Sequence, residues 1–442
     1  MKQQRHTARS VALQALLQME KNAGYSNLVL DHALDSAGLN QRDRSLAASI
    51  FYGVLERRLT LDFYLERCMR NPRQKLDSAV REALRCGAYQ ILYLDRVPDS
   101  AAVNETVSAF KLVGKPQLSG FVNGVLRGLI RQKDGIKLPE GNALDALSLR
   151  YSIPPGLIQL WQRSYGEAVM LRLLESLREK PPLYVRANAA QCRIEELQTL
   201  LNADGVKLEA LTEPSGAGIL NGCGSPNKLP AFQKGLFHVQ DLSAQWVCRI
   251  LDPQPGETIC DCCAAPGGKA FTLAQEVGPE GKVYALDLYE SRVKLIRDGA
   301  KRLALGNIEA RVNDATKGNL PLADKVLCDV PCSGFGVIRR KPEIRYKDLD
   351  SIQELPELQY QILCQGAQSV KPNGLLVYAT CTLNPAENSE VVDRFLQENN
   401  GFEPITIEIG VQRSIDEPEH MLTMMPFGNA SDGFFAAAFR KK

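Results

Sequence analysis

The run Lys325-Val-Leu-Cys-Asp-Val-Pro-Cys-Ser-Gly-Phe-Gly336 carries an apolar stretch straight into a carboxylate and a thiol. Val326, Leu327 and Cys328 read as a buried strand that opens into a Pro/Gly/Ser loop. Open α/β sheets bind ligands outside the carboxyl ends of their strands, so Asp329 and Cys332 stand where chemistry is expected. Pro331 restricts the backbone just before the thiol, and Gly334 and Gly336 permit close approach of a planar substrate. On this loop alone Cys332 is a candidate nucleophile, with a buried, inert thiol as the alternative. A second thiol, Cys381, follows the apolar run Leu375 to Ala379 and so also stands at a strand's carboxyl end.

A third chemical stretch, Asp261-Cys-Cys-Ala-Ala-Pro-Gly-Gly-Lys269, joins a strand directly to a helix. Its small residues let backbone approach a ligand, and the helix N-terminus adds partial positive charge. It is not a phosphate-binding P-loop, because Cys263 stands where the first glycine belongs and Ala270 where a Ser or Thr would hold magnesium. About twenty residues beyond Gly267 comes Asp287, placed as an acid that accepts from both ribose hydroxyls. Asp314 and Asp329 follow the next two strands and complete a row of carboxylates at strand ends. Each alone could be a helix cap or a surface acid. Together, behind a turn without phosphate-binding features, they fit an adenosyl ligand lacking phosphates, which is S-adenosylmethionine.

The elements that must position these residues follow from periodicity. From Leu242 onward helix and strand alternate, with strands expected at Thr258–Cys262, Val283–Leu288, Ile308–Val312, Val326–Asp329, Leu375–Ala379 and Gly433–Phe439. That alternation predicts a parallel, doubly wound α/β sheet. Upstream, Leu183–Arg186 and Val206–Leu211 read as strands around a helix at Ile194–Leu201, a small α+β subdomain. Pro214 to Lys234 reads as loop, and Arg186 and Asn188 read as surface residues by default, with contact to a substrate as the alternative. Residues 5 to 132 are helical almost throughout, with apolar stripes such as Leu13, Leu16, Leu17 and Leu46, Ile50, Val54. His6 and His32 are read as solvent-facing. The expected division is an all-helical domain over residues 1–140, a linker and helix over 141–165, the α+β subdomain over 166–240 and the catalytic domain over 241–442.

With 442 residues, 44% hydrophobic and 24% charged, the composition is that of an ordinary globular protein. The polar, basic start and the lack of a long apolar run predict a cytoplasmic protein without membrane contact. Twelve scattered cysteines predict reduced thiols. The single C-x-x-C spacing, Cys260 to Cys263, lacks partners, so no metal is expected. Residues 1–140 hold 21 Lys and Arg against 14 Asp and Glu, a surplus of +7, which leaves −5 for the rest. A basic front points to a polyanion partner. Arg339, Arg340, Lys341 and Arg345, just past the Pro-Cys loop, are expected to hold phosphates near a target base.

Cys-Ala-Ala-Pro-Gly-Gly-Lys (263–269), Asp-Val-Pro-Cys-Ser-Gly (329–334) and Tyr-Ala-Thr-Cys-Thr (378–382), in this order, resemble the RNA cytosine-5 methyltransferases of the Nop2/Sun class. The helical front, including Phe121-Val-Asn-Gly-Val-Leu-Arg127, resembles the NusB-related domain. Together they resemble the bacterial B-type branch of that class, over nearly the whole chain. Departures are Cys262 for an aliphatic residue, Asn313 for a Gly before Asp314, and Val330 for Ala. The resemblance implies a class I, Rossmann-like methyltransferase domain behind a NusB-like domain, with 16S ribosomal RNA as partner and S-adenosylmethionine as methyl donor. It implies that Cys263, Ala264, Ala265, Pro266, Gly267, Gly268, Lys269, Asp287, Asp314 and Asp329 bind the donor. It further implies Cys381 as nucleophile and Cys332 as the residue that assists release. Asp329 is also a reasonable group to assist at N3 of the base, and Lys269 is read either as organising the site or as a helix-cap or surface residue. Competing readings are a DNA cytosine-5 methyltransferase, a non-catalytic RNA-binding protein and, more distantly, a small-molecule methyltransferase. A monomer is the default.

Overall fold

The computed structural model describes residues 6–22, 26–113, 115–427 and 431–442; most of the basic start, residues 1–5, lies outside them. The chain forms two compact units, one of residues 1–160 with 340–347, the other of residues 161–339 with 348–442.

The first unit is helical, with helices at Ala8–Asn22, Ser26–Ser36, Gln41–Glu56, Arg58–Glu66, Ser78–Tyr93, Asp99–Val113, Ser119–Gln132 and Leu144–Tyr151. Asn40 and Asp77 start two of them by accepting the backbone N–H groups of Asp43 and Ala79. The expected stripes become the core: Leu13, Leu16, Ile50, Val54, Leu84, Ala88, Val125 and Leu129 are all buried. Gln90 accepts from Arg9 and donates to Thr106, joining three helices through one buried amide. His6 and His32 are exposed.

Residues 340–347 also pack in this unit. Arg345 is buried and donates to the Glu56 carbonyl at 2.7 Å, and the Tyr346 hydroxyl lies 2.9 Å from Ser152 Oγ. The expectation that Arg345 holds phosphates is therefore corrected: its guanidinium satisfies backbone carbonyls. Arg339, buried in the second unit, likewise donates to the Ser431 carbonyl. A run of charges reads as surface by composition, and only the packing shows which guanidinium groups are buried.

The helical stretch Pro155–Ser176, whose residues from Trp161 on belong to the second unit, is broken at Gly166, whose φ of 80° and ψ of 165° are not helical. Then come β1 (Tyr184–Ala187), β2 (Lys207–Ala210), β3 (Ala217–Asn221) and β4 (Phe237–Val239), which form an antiparallel sheet ordered β2-β3-β1-β4. β3 lies inside the stretch expected to be loop, because its Gly218 and the Gly, Pro and Ser residues around it mask a short strand that pairs with β2 and β1. Arg186 and Asn188 are buried, a second correction. Arg186 pairs with Glu276, and Asn188 donates to the carbonyls of Gly235 (2.9 Å) and Leu303 (2.8 Å), tying the small sheet to the large one.

The large sheet contains β5 (Thr258–Asp261), β6 (Lys282–Asp287), β7 (Ile308–Val312), β8 (Ala323–Asp329), β9 (Val370–Thr380), β10 (Phe402–Pro404), β11 (Met421–Met424) and β12 (Phe434–Lys441). Its order is β10-β12-β9-β8-β5-β6-β7, with β11 beside β12. β5 to β9 are parallel, while β12 runs antiparallel to β9, β10 and β11, so the expected all-parallel sheet is in fact mixed. Strand alternation builds two cores. Leu327, Val377, Ala379, Ala436 and Ala438 face the helices Leu242–Leu251, Gly268–Val277 and Glu290–Arg302. Val326, Cys328, Leu376, Tyr378, Phe435 and Phe439 face the helices Leu355–Gln368 and Ser389–Glu398. Both faces are covered, which is why these strands read as continuous apolar runs. The twelve cysteines form no disulfide.

Behind the helix Gly268–Val277 lies His238, buried, its Nε2 3.2 Å from Gln240 Oε1. Burial, helped by the nearby charge of Arg186, pushes its pKa down to about 3. The folded protein thus holds His238 neutral where the unfolded chain binds a proton. Stability should fall as pH drops below the unfolded value near 6.5, by about 1.4 kcal/mol per unit until the folded pKa is reached. Urea midpoints measured at pH 7.5 and 5.0 should diverge more for the wild type than for His238→Gln; equal divergence would show that other groups set the acid limb.

Candidate active site

The strand order places β8 between β9 and β5, and the chain leaves β5 toward β6 on one side and returns to β8 on the other. Loops at the carboxyl ends of β5 and β8 diverge around such a switch point and leave a crevice. Asp329 ends β8, and the register pairs it with Ala379 of β9. The Val330 N–H donates to the Ala379 carbonyl at 3.0 Å, carrying the pairing into the Pro-Cys loop. Beyond it the Ser333 and Thr382 hydroxyls lie 2.6 Å apart, and the Gly336 N–H donates to the Cys381 carbonyl at 3.0 Å. These contacts bring Cys332 Sγ within 3.2 Å of Cys381 Sγ.

Gly336 shows why the loop is glycine-lined. A Cβ there would collide with the Gly433 carbonyl and lie 2.9 Å from that of Cys381, both rigid backbone. Gly336→Ala should therefore spread the two cysteine loops and lower any turnover that depends on the thiol pair by about a hundredfold, the cost of misplacing reacting atoms by roughly 1 Å. A steady-state rate within twofold of wild type would show that the loop absorbs the methyl group.

The two thiols differ electrically. The hydrogen bond to Cys381, then burial, then the charges of Glu387 and Asp329 hold the Cys332 thiol well above the ordinary range. Either sulfur can donate in their contact, and the glutamate and aspartate charges beside Cys332 favour its protonated form.

At the neighbouring strand end, Gly267 adopts a φ of 112° and starts the helix Gly268–Val277. A Cβ at Gly267 would strike the Phe271 ring, and the positive φ likewise favours glycine there. Lys269 Nζ lies 2.6 Å from Asp329 Oδ2 and 4.9 Å from the centre of the Phe434 ring. Burial opposes the Lys269 charge, but the Asp329 carboxylate prevails and raises its pKa. Lys269 is thus the internal partner of the Pro-Cys loop carboxylate, and the helix-cap or surface reading is corrected.

Asp287, buried at the end of β6, accepts from the N–H groups of Ala265 (3.3 Å) and Tyr289 (3.4 Å) and lies 3.6 Å from Arg292 Nε. Cys263 to Gly268 lie between Asp261 and Lys269 in this turn, and the Ala264 N–H donates to the Leu286 carbonyl at 2.7 Å, closing it against β6. Asp314, past β7, accepts from Thr316 N (3.0 Å) and Oγ1 (2.6 Å), bonds that pull its pKa below the usual carboxylate range. The row of carboxylates therefore exists, with the two thiols at one side of the crevice and Asp314 at the other.

Two functional candidates escaped the sequence reading. Asp261 opens the turn, is buried, and its Oδ1 has no hydrogen-bond partner among the described residues. Burial and then the Asp329 charge push its pKa well above the ordinary range, which favours its protonated form. Its signal was its place as the first residue of the turn. Glu387, fully buried, bridges both cysteine loops; an acidic residue in a Pro-Ala-Glu turn carries no local signal of that role. Among the described residues no group of three or more His, Cys, Asp or Glu is arranged to hold a metal, and no helix is long and apolar enough to cross a membrane.

Comparison with known proteins fits this geometry. The family model described as 16S rRNA methyltransferase RsmB/F matches residues 248–440, that of the NusB family matches 6–131, and a ferredoxin-like domain of RsmF/B-like methyltransferases matches 153–222. The chain is 36% identical to the probable ribosomal RNA small subunit methyltransferase B of Bacillus subtilis, over 99% of both proteins. It is 36% identical to the ribosomal RNA small subunit methyltransferase B of Escherichia coli, over 100% of both. Among solved structures, PH0851 superposes with a TM-score of 0.85 at 26% identity over 100% of both chains. A methyltransferase homolog protein from Pyrococcus horikoshii superposes with a TM-score of 0.60 at 27% identity, covering 69% of this chain and 100% of its own.

Proposed function

Because the chain belongs to the 16S rRNA methyltransferase RsmB/F family, we propose that it methylates C5 of a cytosine in 16S ribosomal RNA, with S-adenosylmethionine as methyl donor. The observation that carries this reading is the pair of sulfurs 3.2 Å apart at adjacent strand ends, beside a glycine-lined turn and a row of carboxylates.

Unactivated C5 of cytosine is too poor a nucleophile to attack a methyl sulfonium. Addition of the Cys381 thiolate to C6 makes an enamine whose C5 can take the methyl group. The C5 proton then leaves to a base and the C6–S bond breaks, which returns the Cys381 thiolate and the methylated base. Cys332, adjacent and protonated at rest, is assigned to this release. Asp329, paired with Lys269 Nζ at 2.6 Å, is assigned to accept from N3–H of the base once N3 is protonated during addition. The target base must leave its stack to reach such a crevice.

The residues fit an adenosyl sulfonium. S-adenosylmethionine supplies an electrophilic methyl group and a positive charge; the open backbone of Cys263 to Lys269, the carboxylates of Asp287, Asp314 and Asp329 and the unpartnered Asp261 oxygen supply complementary groups. The helical unit, with its surplus of +7 in residues 1–140, is assigned to holding RNA in the cytoplasm. The test is transfer of labelled methyl to a 16S ribosomal RNA transcript, with the modified position mapped by bisulfite sequencing. Label in duplex DNA but not in RNA, or label in RNA at any atom other than cytosine C5, would overturn the reading.

A further inference from the structure

We propose that Glu387 is a positioning residue for the two thiols. This rests on the two-thiol reading above and assigns a third residue to that site. Glu387 ends the short turn Pro385–Glu387 that follows the Thr-Cys loop, and it is fully buried. Its Oε2 accepts from the Ser333 N–H at 2.8 Å and from Gln359 Nε2 at 2.9 Å. Its Oε1 accepts from Asn384 Nδ2 at 2.8 Å. Gln359 Nε2 also donates to the Pro331 carbonyl at 2.9 Å. One carboxylate thus grips the residue after Cys332, reaches the proline before it through Gln359, and holds Asn384 just past Cys381. The Tyr378 hydroxyl donates to the Glu387 carbonyl at 2.6 Å, so the turn is itself anchored to β9.

A buried carboxylate is costly unless donors surround it, and here three N–H donors do. A neutral amide of the same shape cannot replace it. Glutamine would present an NH₂ either to Asn384 Nδ2 or to the Ser333 and Gln359 donors, setting donor against donor. The charge has a second effect. It lies close enough to Cys332 to help keep that thiol protonated, and therefore to favour the arrangement in which Cys381 is the thiolate.

The experiment uses the full-length enzyme, S-adenosylmethionine, and a target RNA carrying 5-fluorocytidine. Fluorine cannot leave C5 as a proton does, so the covalent complex accumulates and its formation can be timed. Glu387→Gln is expected to slow adduct formation by about 10- to 100-fold, the range for misplaced reacting groups. Its affinity for S-adenosylmethionine should stay near wild type, while its melting temperature falls by the few degrees that one mismatched buried hydrogen bond costs. On unmodified RNA, the pH profile of product release should move to lower pH, because removing the negative charge eases proton loss from Cys332. Glu387→Asp, which keeps the charge on a shorter stem, should recover part of the rate and the wild-type pH profile. A wild-type adduct rate with an unshifted profile in Glu387→Gln overturns the proposal. So does a loss of rate matched by equal losses of melting temperature and donor affinity, with Glu387→Asp no better, since that is a merely structural role. A wild-type enzyme that forms no adduct, or a Cys381→Ala variant that still forms one, overturns the two-thiol reading as well.

Discussion

Cys332→Ala is expected to stop as a covalent complex with its RNA, visible as a slow-migrating band that survives denaturation and disappears after ribonuclease treatment. Cys381→Ala is expected to form no such band and to lose turnover by at least about a thousandfold, as removal of a covalent nucleophile does. The sulfurs are within contact distance, so the two variants share nearly the same steric change and the same neighbours. What separates them is the surroundings of Cys332. Cys332 sits beside the carboxylates of Glu387 and Asp329, which oppose a second negative charge and favour its protonated form. A thiol in that state is a poor nucleophile but can serve a later proton transfer. The opposite outcome, an adduct in Cys381→Ala and none in Cys332→Ala, would reverse the two roles.

Lys269→Met should destabilise the protein and abolish methyl transfer together. Lys269 and Asp329 keep only 12% and 24% of their side-chain exposure, and a neutral methionine would leave the Asp329 carboxylate without its cation next to the buried Asp261. Breaking a buried pair by removing one partner costs about 3–5 kcal/mol, and the residual exposure of Asp329 puts this case at about 3. The double variant Lys269→Met/Asp329→Asn should recover most of that stability in urea unfolding, because no unpaired charge remains, yet stay inactive. Recovery of methyl transfer in the double variant would mean that neither side chain takes part in the reaction.

The local motifs were legible because each is a few consecutive residues whose types constrain the backbone. The Pro-Cys and Thr-Cys loops, the Ala-Pro-Gly-Gly turn and the acids after apolar runs could be placed at strand ends from hydrophobic pattern alone. The antiparallel edge was not legible, since β12 reads the same in either direction and only its pairing with β9 decides. Nor was β3, whose neighbours β1 and β2 are separated from it by turns. Arg186, Asn188, Arg339 and Arg345 read as surface because polarity predicts exposure on average. Each is instead buried where its donors meet carbonyls or a carboxylate.

By itself the sequence determined the chemical inventory and its order along the chain: the carboxylates of Asp287, Asp314 and Asp329, a small-residue turn from Cys263 to Lys269, and thiols at Cys332 and Cys381. The tertiary structure decided how these act on one another. It placed the two sulfurs in contact across 49 residues of chain, paired Lys269 with Asp329 across 60, and set Glu387 against Ser333 across 54. The reason is physical. Residue type and spacing are local, whereas burial, hydrogen bonding and the field at a thiol depend on what parallel strands bring together from distant parts of the chain.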